Sequence, residues 1–333
     1  QDRQGKREDS MSEFKIEVVE IGKIEKHPNA DTLSITHIHS GYPVIIRTGD
    51  FGEGDKAVYV PVDSVVPVDD PKWTFLKGHA RIKAKRLRGV FSMGLLVQAD
   101  PSWYLGQDVR ETMDIIKYEP PESLTMGGEN EHCPFTSPDY TDIEALRRWP
   151  DILGAGEEVI ITEKLHGASS KYVFHDDRLW VGSHHNTKKY NPDNMWWKVA
   201  EKYQLERRLK EIPDYILYGE VYGNVQDLKY GAGKNDLYIS FFDAFSLASG
   251  KYVGWDSFVM VLFLAGLYTF TPPILYRGPW SHSLVSLSDG PSLVPRANHV
   301  REGFVVKPVT EHFNDSVGRV ILKMHGEDYL MRK

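Results

Sequence analysis

Cysteine is nearly absent from this chain of 333 residues, and Cys133 stands alone. An intrachain disulfide and any cysteine-rich zinc site are therefore excluded, and a reducing intracellular compartment, the cytoplasm, is the expected location. Long apolar runs are also missing. The longest, Phe258 to Phe270, contains Gly266; it is too short to span a membrane and suits a buried helix. No secretory signal is visible. A net basic charge is lacking, with 40 Lys and Arg against 47 Asp and Glu, so any nucleic-acid surface must be made locally by clustering cations on one face. No solenoid-type repeat occurs.

What is present is the composition of an ordinary globular protein, 41% hydrophobic and 26% charged, with length enough for two or three domains. Residues 1–12 are polar and aperiodic and are expected to form a disordered tail. From residue 13 to 118, short apolar runs such as Ile16 to Ile21, Pro43 to Ile46, Ala57 to Val60 and Gly94 to Val97 alternate with turn signals. That pattern predicts a small β-barrel or sandwich. Residues 119–132 are rich in Pro, Gly and Glu and read as a linker. Residues 133–333 alternate strands and helices, an α+β pattern. Strands are expected at Leu179 to Val181, Tyr215 to Glu220, Leu237 to Phe245, Gly303 to Lys307 and Val320 to Met324. Helices are expected at Asp142 to Trp149, Met195 to Arg208 and Val253 to Gly266.

Two features of the first domain point to nucleic acid. His27-Pro28-Asn29-Ala30-Asp31 lies between two strand-like runs and resembles the signature of the tRNA-binding OB-type module; the bland reading is a Pro-Asn turn with Asp31 capping a bend. The segment Arg81 to Arg88 carries Arg81, Lys83, Lys85, Arg86 and Arg88. In an extended strand Arg81, Lys83 and Lys85 share one face while Ile82 and Ala84 face the core, a track suited to phosphates. The alternative is a solvated edge strand kept charged against aggregation.

In the second domain the β-branched run Glu158 to Thr162 leads into Glu163-Lys164-Leu165-His166-Gly167. It places a lysine at a strand edge, with Gly167 permitting a sharp turn. At the mouth of a pocket, partial desolvation is expected to lower the pKa of Lys164 and free its lone pair; taken alone, a lysine beside a turn is most often a solvated charge. Further along, Glu220 ends an apolar strand between glycines, Phe242 follows Phe241 on another, and Glu302 and Lys307 bracket a third. Lys323 sits on a fourth. Three lysines, two glutamates and an aromatic at strand ends suit a polyphosphate nucleotide: apolar groups for the base, a carboxylate for ribose hydroxyls, lysines for phosphates, and a divalent metal bridging the rest. Gly231-Ala232-Gly233-Lys234 lacks the Walker spacing and the following Ser or Thr. His184-His185 lacks partners at a zinc spacing.

The ordered segments Lys164-Leu-His-Gly, Glu220-Val-Tyr-Gly, Phe242-Asp243, Glu302-Gly-Phe-Val-Val-Lys307 and Leu322-Lys323 resemble motifs I, III, IIIa, IV and V of the covalent nucleotidyltransferases. These are the polynucleotide ligases and mRNA capping enzymes. The histidine of the first motif, preceded by Glu163, is similar to the phage RNA ligase 2 type. An OB-type domain ahead of the nucleotidyltransferase domain resembles the fifth RNA ligase family, the Deinococcus and Naegleria type.

That resemblance implies an OB-type β-barrel followed by an α+β adenylyltransferase domain of antiparallel sheets and helices. It implies an ATP-dependent RNA ligase, with Mg2+ or Mn2+, that seals 3′-OH/5′-phosphate breaks in nicked duplex nucleic acid with RNA on the 3′-OH side. The protein would act as a monomer, with no membrane partner. Lys164 would take AMP from ATP, Glu220 would bind the ribose and Phe242 would stack on adenine. Glu302 would hold the metal through water, and Lys307 and Lys323 would neutralise phosphate. Glu163, His166 and Gly167 complete the expected nucleotide site. The usual arginine after motif I is missing, and His184 stands in the matching stretch. Motif V carries Lys323 alone, followed by His325 two residues on. The competing readings are a capping-type guanylyltransferase, expected to carry its OB domain behind, and an RNA-binding protein without catalysis.

Overall fold

The computed structural model describes residues 14–118, 127–135, 138, 140–141 and 143–332. The tail expected at 1–12 and the first part of the expected linker, 119–126, lie outside them. The chain divides into two compact units. The first comprises the described residues up to 118 with 144–151 and 330–332, and the second runs over 127–143 and 152–329. Among the described residues no helix is long and apolar enough to cross a membrane.

The first unit contains β1 (Glu17–Glu20), β2 (Glu25–Lys26), β3 (Leu33–Ile38), β4 (Tyr42–Arg47), β5 (Lys56–Val60), β6 (Lys85–Leu87), β7 (Val90–Ser92) and β8 (Leu95–Gln98). Antiparallel pairing gives a β1-β5-β8 sheet, a β2-β3-β4 meander and a β6-β7 hairpin. Strands β1 and β5 bury both faces, because alternate side chains enter two cores. Val18, Val58 and Val60 pack with Trp73 and Val109. Val19, Ala57 and Tyr59 pack with Ile38, Val44 and Ile46.

In the second unit the elements are β9 (Glu158–Glu163), β10 (Ala168–His175), β11 (Arg178–Gly182), α1 (Met195–Lys202), α2 (Leu205–Leu209), β12 (Tyr215–Gly223), β13 (Leu237–Ser246), β14 (Lys251–Tyr252), α3 (Trp255–Leu264), β15 (Ile274–Pro279), β16 (Gly303–Pro308) and β17 (Leu322–His325). One antiparallel sheet runs β17-β16-β9-β15 and the other β11-β10-β12-β13-β14. The β10–β13 strands present one face to the helices, where Tyr172, Leu217, Phe241, Trp196 and Phe258 pack together. Their other face carries Val173, Ile216 and Tyr218, packed with Tyr140 and Ile321.

Several expected elements differ. The expected helix over Asp142 to Trp149 does not form over its described residues, 143–149. Glu144–Ala145 is a two-residue strand, and Arg148 and Trp149 donate back to Ala145 in a tight turn, since Pro150 leaves too little chain for a helix. Met195 to Arg208 is two helices, broken where Gln204 adopts φ 52°. A continuous helix would turn Leu205 away from the face that buries Met195, Trp196 and Val199; restarting buries both Leu205 and Leu209. The apolar run after Val253 is not wholly buried. Helix α3 inserts Trp255, Phe258, Val261 and Leu262, while Met260, Phe263 and Leu264 are exposed, because only one face meets the sheet. The last strand starts at Leu322 rather than Val320.

Candidate active site

Strand β9 is a buried run of β-branched residues paired on both sides, which fixes where Lys164 emerges. The Lys164 N–H donates to the Gly303 carbonyl at 3.0 Å, bringing the lysine beside Glu302. Gly167 is needed for close approach rather than for an unusual φ: a Cβ there would lie 2.1 Å from the Val221 carbonyl oxygen. Strand β12 can therefore run against this turn and set Glu220 nearby, and the three side chains meet.

Lys164 Nζ lies 2.9 Å from Glu302 Oε1. Burial pushes the ammonium down, but Glu302 and Glu220 together outweigh it, so the lysine pKa stands above its ordinary value. This corrects the expectation that desolvation would lower it. Burial alone raises the Glu220 carboxyl, and with Glu302 opposing and Lys164 favouring its charge it reaches about 8. Burial also disfavours the charged Glu302, yet Lys164, His166 and His325 hold its carboxyl well below the usual range. Burial lowers His325 despite Glu302. Glu302 Oε2 is buried without a hydrogen-bond partner among the described residues. Such an acceptor fits a cation's bound water. Among the described residues no group of three or more His, Cys, Asp or Glu could hold a metal by itself.

A cavity of about 240 Å³, room for a purine ring, is lined by Lys164, Glu220, Phe242, Lys307, Lys323, Glu163, His184, Tyr140 and Trp255 among others. Phe242 reaches it through a β-bulge: Tyr218 pairs with Asp243 and Gly219 with Phe241, leaving Phe242 as the extra residue. The bulge re-aims the ring toward Tyr140, at 5.0 Å between centroids, while Phe241 stays in the helix-side core. Asp243 is fully buried. It accepts from Tyr140 at 2.9 Å and Lys307 at 3.0 Å, and pairs with Arg319 at 2.7 Å. Burial opposes its charge, but Lys307 and Arg319 bring its pKa below the ordinary value.

Two expected ligands are already engaged. The Glu163 carboxylate accepts from Ser292 Oγ at 2.5 Å and the Leu293 N–H at 2.7 Å, so it anchors that segment. The Lys307 ammonium is tied to Asp243 and lies 5.8 Å from the Trp255 ring, an apolar-walled position rather than an open phosphate seat. His166 does not line the cavity; it bonds Asp227 at 2.7 Å and lies 3.6 Å from Glu302 Oε2, and its backbone N–H donates to Tyr230. Tyr140, Arg319 and Trp255 gave no signal in sequence, since each is apart from the motifs it joins.

In the first unit Ile82 and Ala84 are buried and Lys83 and Lys85 exposed, as alternation demands. The continuous strand does not form, because pairing starts only at Lys85. Arg81 leaves the cationic track: it pairs with Asp63 at 2.7 Å and stacks on Tyr118 at 3.6 Å. Gly231 to Lys234 is a turn and loop segment.

The RNA ligase family model matches residues 157–325, more than half of the chain, and an OB-fold domain model matches residues 16–99. No curated protein matches. Among solved structures, a Naegleria gruberi RNA ligase lysine-to-alanine mutant with ATP and Mn is 25% identical, with a TM-score of 0.80 over 95% of this chain and 98% of that one. The same organism's RNA ligase with pyrophosphate is 25% identical, TM-score 0.80, covering 94% and 97%. A glutamate-to-alanine mutant with AMP and Mn is 26% identical, TM-score 0.79, covering 94% and 97%. The first unit thus has an OB fold and the second a nucleotidyltransferase fold, and the chain belongs to the RNA ligase family.

Proposed function

We propose that the protein is an ATP-dependent RNA ligase that seals 3′-OH/5′-phosphate nicks in duplex nucleic acid with RNA on the 3′-OH side. The observation that carries this reading is Lys164 held 2.9 Å from Glu302, at a cavity shared with Glu220 and Phe242. The Lys164 ammonium first gives a proton to solvent; the neutral amine then attacks the α-phosphate of ATP, and the N–P bond forms as pyrophosphate leaves and the nitrogen loses a second proton to solvent. The AMP then passes to a 5′-phosphate end, and a 3′-hydroxyl displaces it to close the strand. Positioning and charge stabilisation supply most of the rate.

Phe242 stacks on the adenine against the wall made by Tyr140 and Trp255, and Glu220 binds the ribose hydroxyls. Lys323 balances phosphate charge. Lys307, pinned by Asp243, holds the base end of the cavity as well as adding positive potential. Glu302, whose Oε2 has no hydrogen bond among the described residues, would hold Mg2+ or Mn2+ through water, and the ion would supply positive charge at the phosphates. Residues 14–118 serve as the nucleic-acid-binding module, through Lys83, Lys85, Arg86 and Arg88. The single cysteine agrees with a cytoplasmic setting.

Incubation with labelled ATP and Mg2+ is expected to leave label on the protein, and then to seal a nicked duplex. Label from GTP but not ATP would support the capping reading instead, and binding without any adduct would support a non-catalytic protein.

A further inference from the structure

The His-Pro-Asn segment and the basic segment, 60 residues apart, meet within the first unit. His27 is 1% exposed. Its Nε2 lies 3.1 Å from the Leu87 carbonyl, and its Nδ1 accepts the Asn29 N–H at 3.0 Å. Because Nδ1 accepts, the hydrogen sits on Nε2 and is donated to Leu87. Asn29 Nδ2 then donates to the Arg88 carbonyl at 2.9 Å. Two successive carbonyls of the β6–β7 turn are thus held from outside the hairpin.

The turn itself needs that hold. Arg88 has φ 49° and Gly89 φ 88°, the positive pair that a two-residue type I′ hairpin requires. Asn-Gly is the favoured occupant; an arginine in the first position is strained, and strain of this kind persists where surroundings over-determine it. A neutral turn residue would fold more readily, yet the chain keeps a cation at the tip. Lys83, Lys85 and Arg88 are exposed and make no ion pair among the described residues.

We infer that His27 and Asn29 are positioning residues that brace a phosphate-gripping turn, fixing Arg88 for the backbone of the nicked duplex. The inference rests on the ligase reading above. It makes one device of two segments whose sequences suggest separate roles.

The test uses the full chain and a nicked duplex with RNA on the 3′-OH side, with affinity measured across a salt series and self-adenylylation measured beside it. Arg88→Ala is expected to weaken binding about tenfold and to lower the slope of log affinity on log salt by about one. Asn29→Ala, which keeps every cation, is expected to weaken binding about threefold to tenfold and to lower the same slope. Arg88→Lys restores the slope. The double variant Asn29→Ala/Arg88→Ala binds no more weakly than Arg88→Ala, because the brace acts through that residue. Asn29→Ala labels with AMP as the parent does. Asn29→Ala at parental slope, full additivity in the double variant, or Arg88→Ala at parental affinity each overturns the brace. A parent that labels with AMP but neither binds nor seals the nick overturns the substrate reading itself, and the brace with it.

Discussion

Asp243 and Glu302 are both buried carboxylates in the second unit, and they differ in how completely they are paired. Asp243 accepts from Tyr140 and the Ala244 N–H and faces Lys307 and Arg319. Glu302 meets Lys164 at 2.9 Å and His325 at 3.5 Å on one oxygen, and its other, 3.6 Å from His166, has no hydrogen bond among the described residues. A buried charge with all its partners is scaffold, since nothing further can bind it without breaking a pair. A buried charge with an unused acceptor is poised for something the polypeptide does not itself supply. The comparison separates the residues that shape the cavity from those expected to work in it.

The largest effect that would break this division is on Asp243. Asp243→Asn leaves Lys307 and Arg319 facing each other with less compensation, and is expected to cost about 3 kcal/mol in urea unfolding. A loss under about 1 kcal/mol would mean the network is not structural. Glu302→Gln should do the reverse, cutting the rate of self-adenylylation about 100-fold to 1000-fold with a smaller loss of stability than Asp243→Asn. If the two variants exchanged these effects, the division would be wrong.

Glu220 sharpens it further. Its carboxyl titrates at about 8 in the folded protein, above the ordinary glutamate value. The folded state therefore holds a proton that the unfolded state has lost, and stability falls as pH rises from the ordinary range to about 8, then levels. Glu220→Gln removes that fall. At pH 8.5 without nucleotide the variant is expected to be more stable than the parent by about 2 kcal/mol, allowing for partial exposure, while using ATP less well. Equal stability of the two at that pH, by urea midpoint, would count against the buried carboxyl. The smallest effect is the pH profile. Lys164 is held charged above its ordinary range, so single-turnover adenylylation should climb up to about tenfold per unit between pH 6 and 8. In Glu302→Gln the profile should move to lower pH, because a charge that raises the lysine is gone. A flat parental profile, or one unmoved by the substitution, would break the link between Glu302 and Lys164.

Much of the second unit is legible along the chain, because its motifs are local. The run into Lys164, the glycine behind it and the apolar strands that contain Glu220 and follow Glu302 accord with β-propensity and spacing, although the first continues past Glu220 to Gly223. What is not legible depends on long separation or on departures from period. The bulge at Phe242 breaks the alternation that would have fixed its direction. Asp243 meets Arg319 from a distant part of the chain, with nothing in either segment to announce it. Lys164's charge state depends on two carboxylates, one within a strand and one just ahead of another, which outweigh the burial that the lysine's own neighbours predict. In the first unit, the alternation at Ile82 and Ala84 is plain from sequence, but the diversion of Arg81 to Asp63 and Tyr118 is not.

The central claim is that Lys164 becomes the carrier of AMP. The direct measurement is peptide mapping by mass spectrometry after incubation with ATP and Mg2+. One AMP is expected on the peptide containing Lys164, none after the same treatment with GTP, and none on a folded Lys164→Ala variant. An adduct of equal yield in Lys164→Ala, or a parent that forms none, would contradict the account.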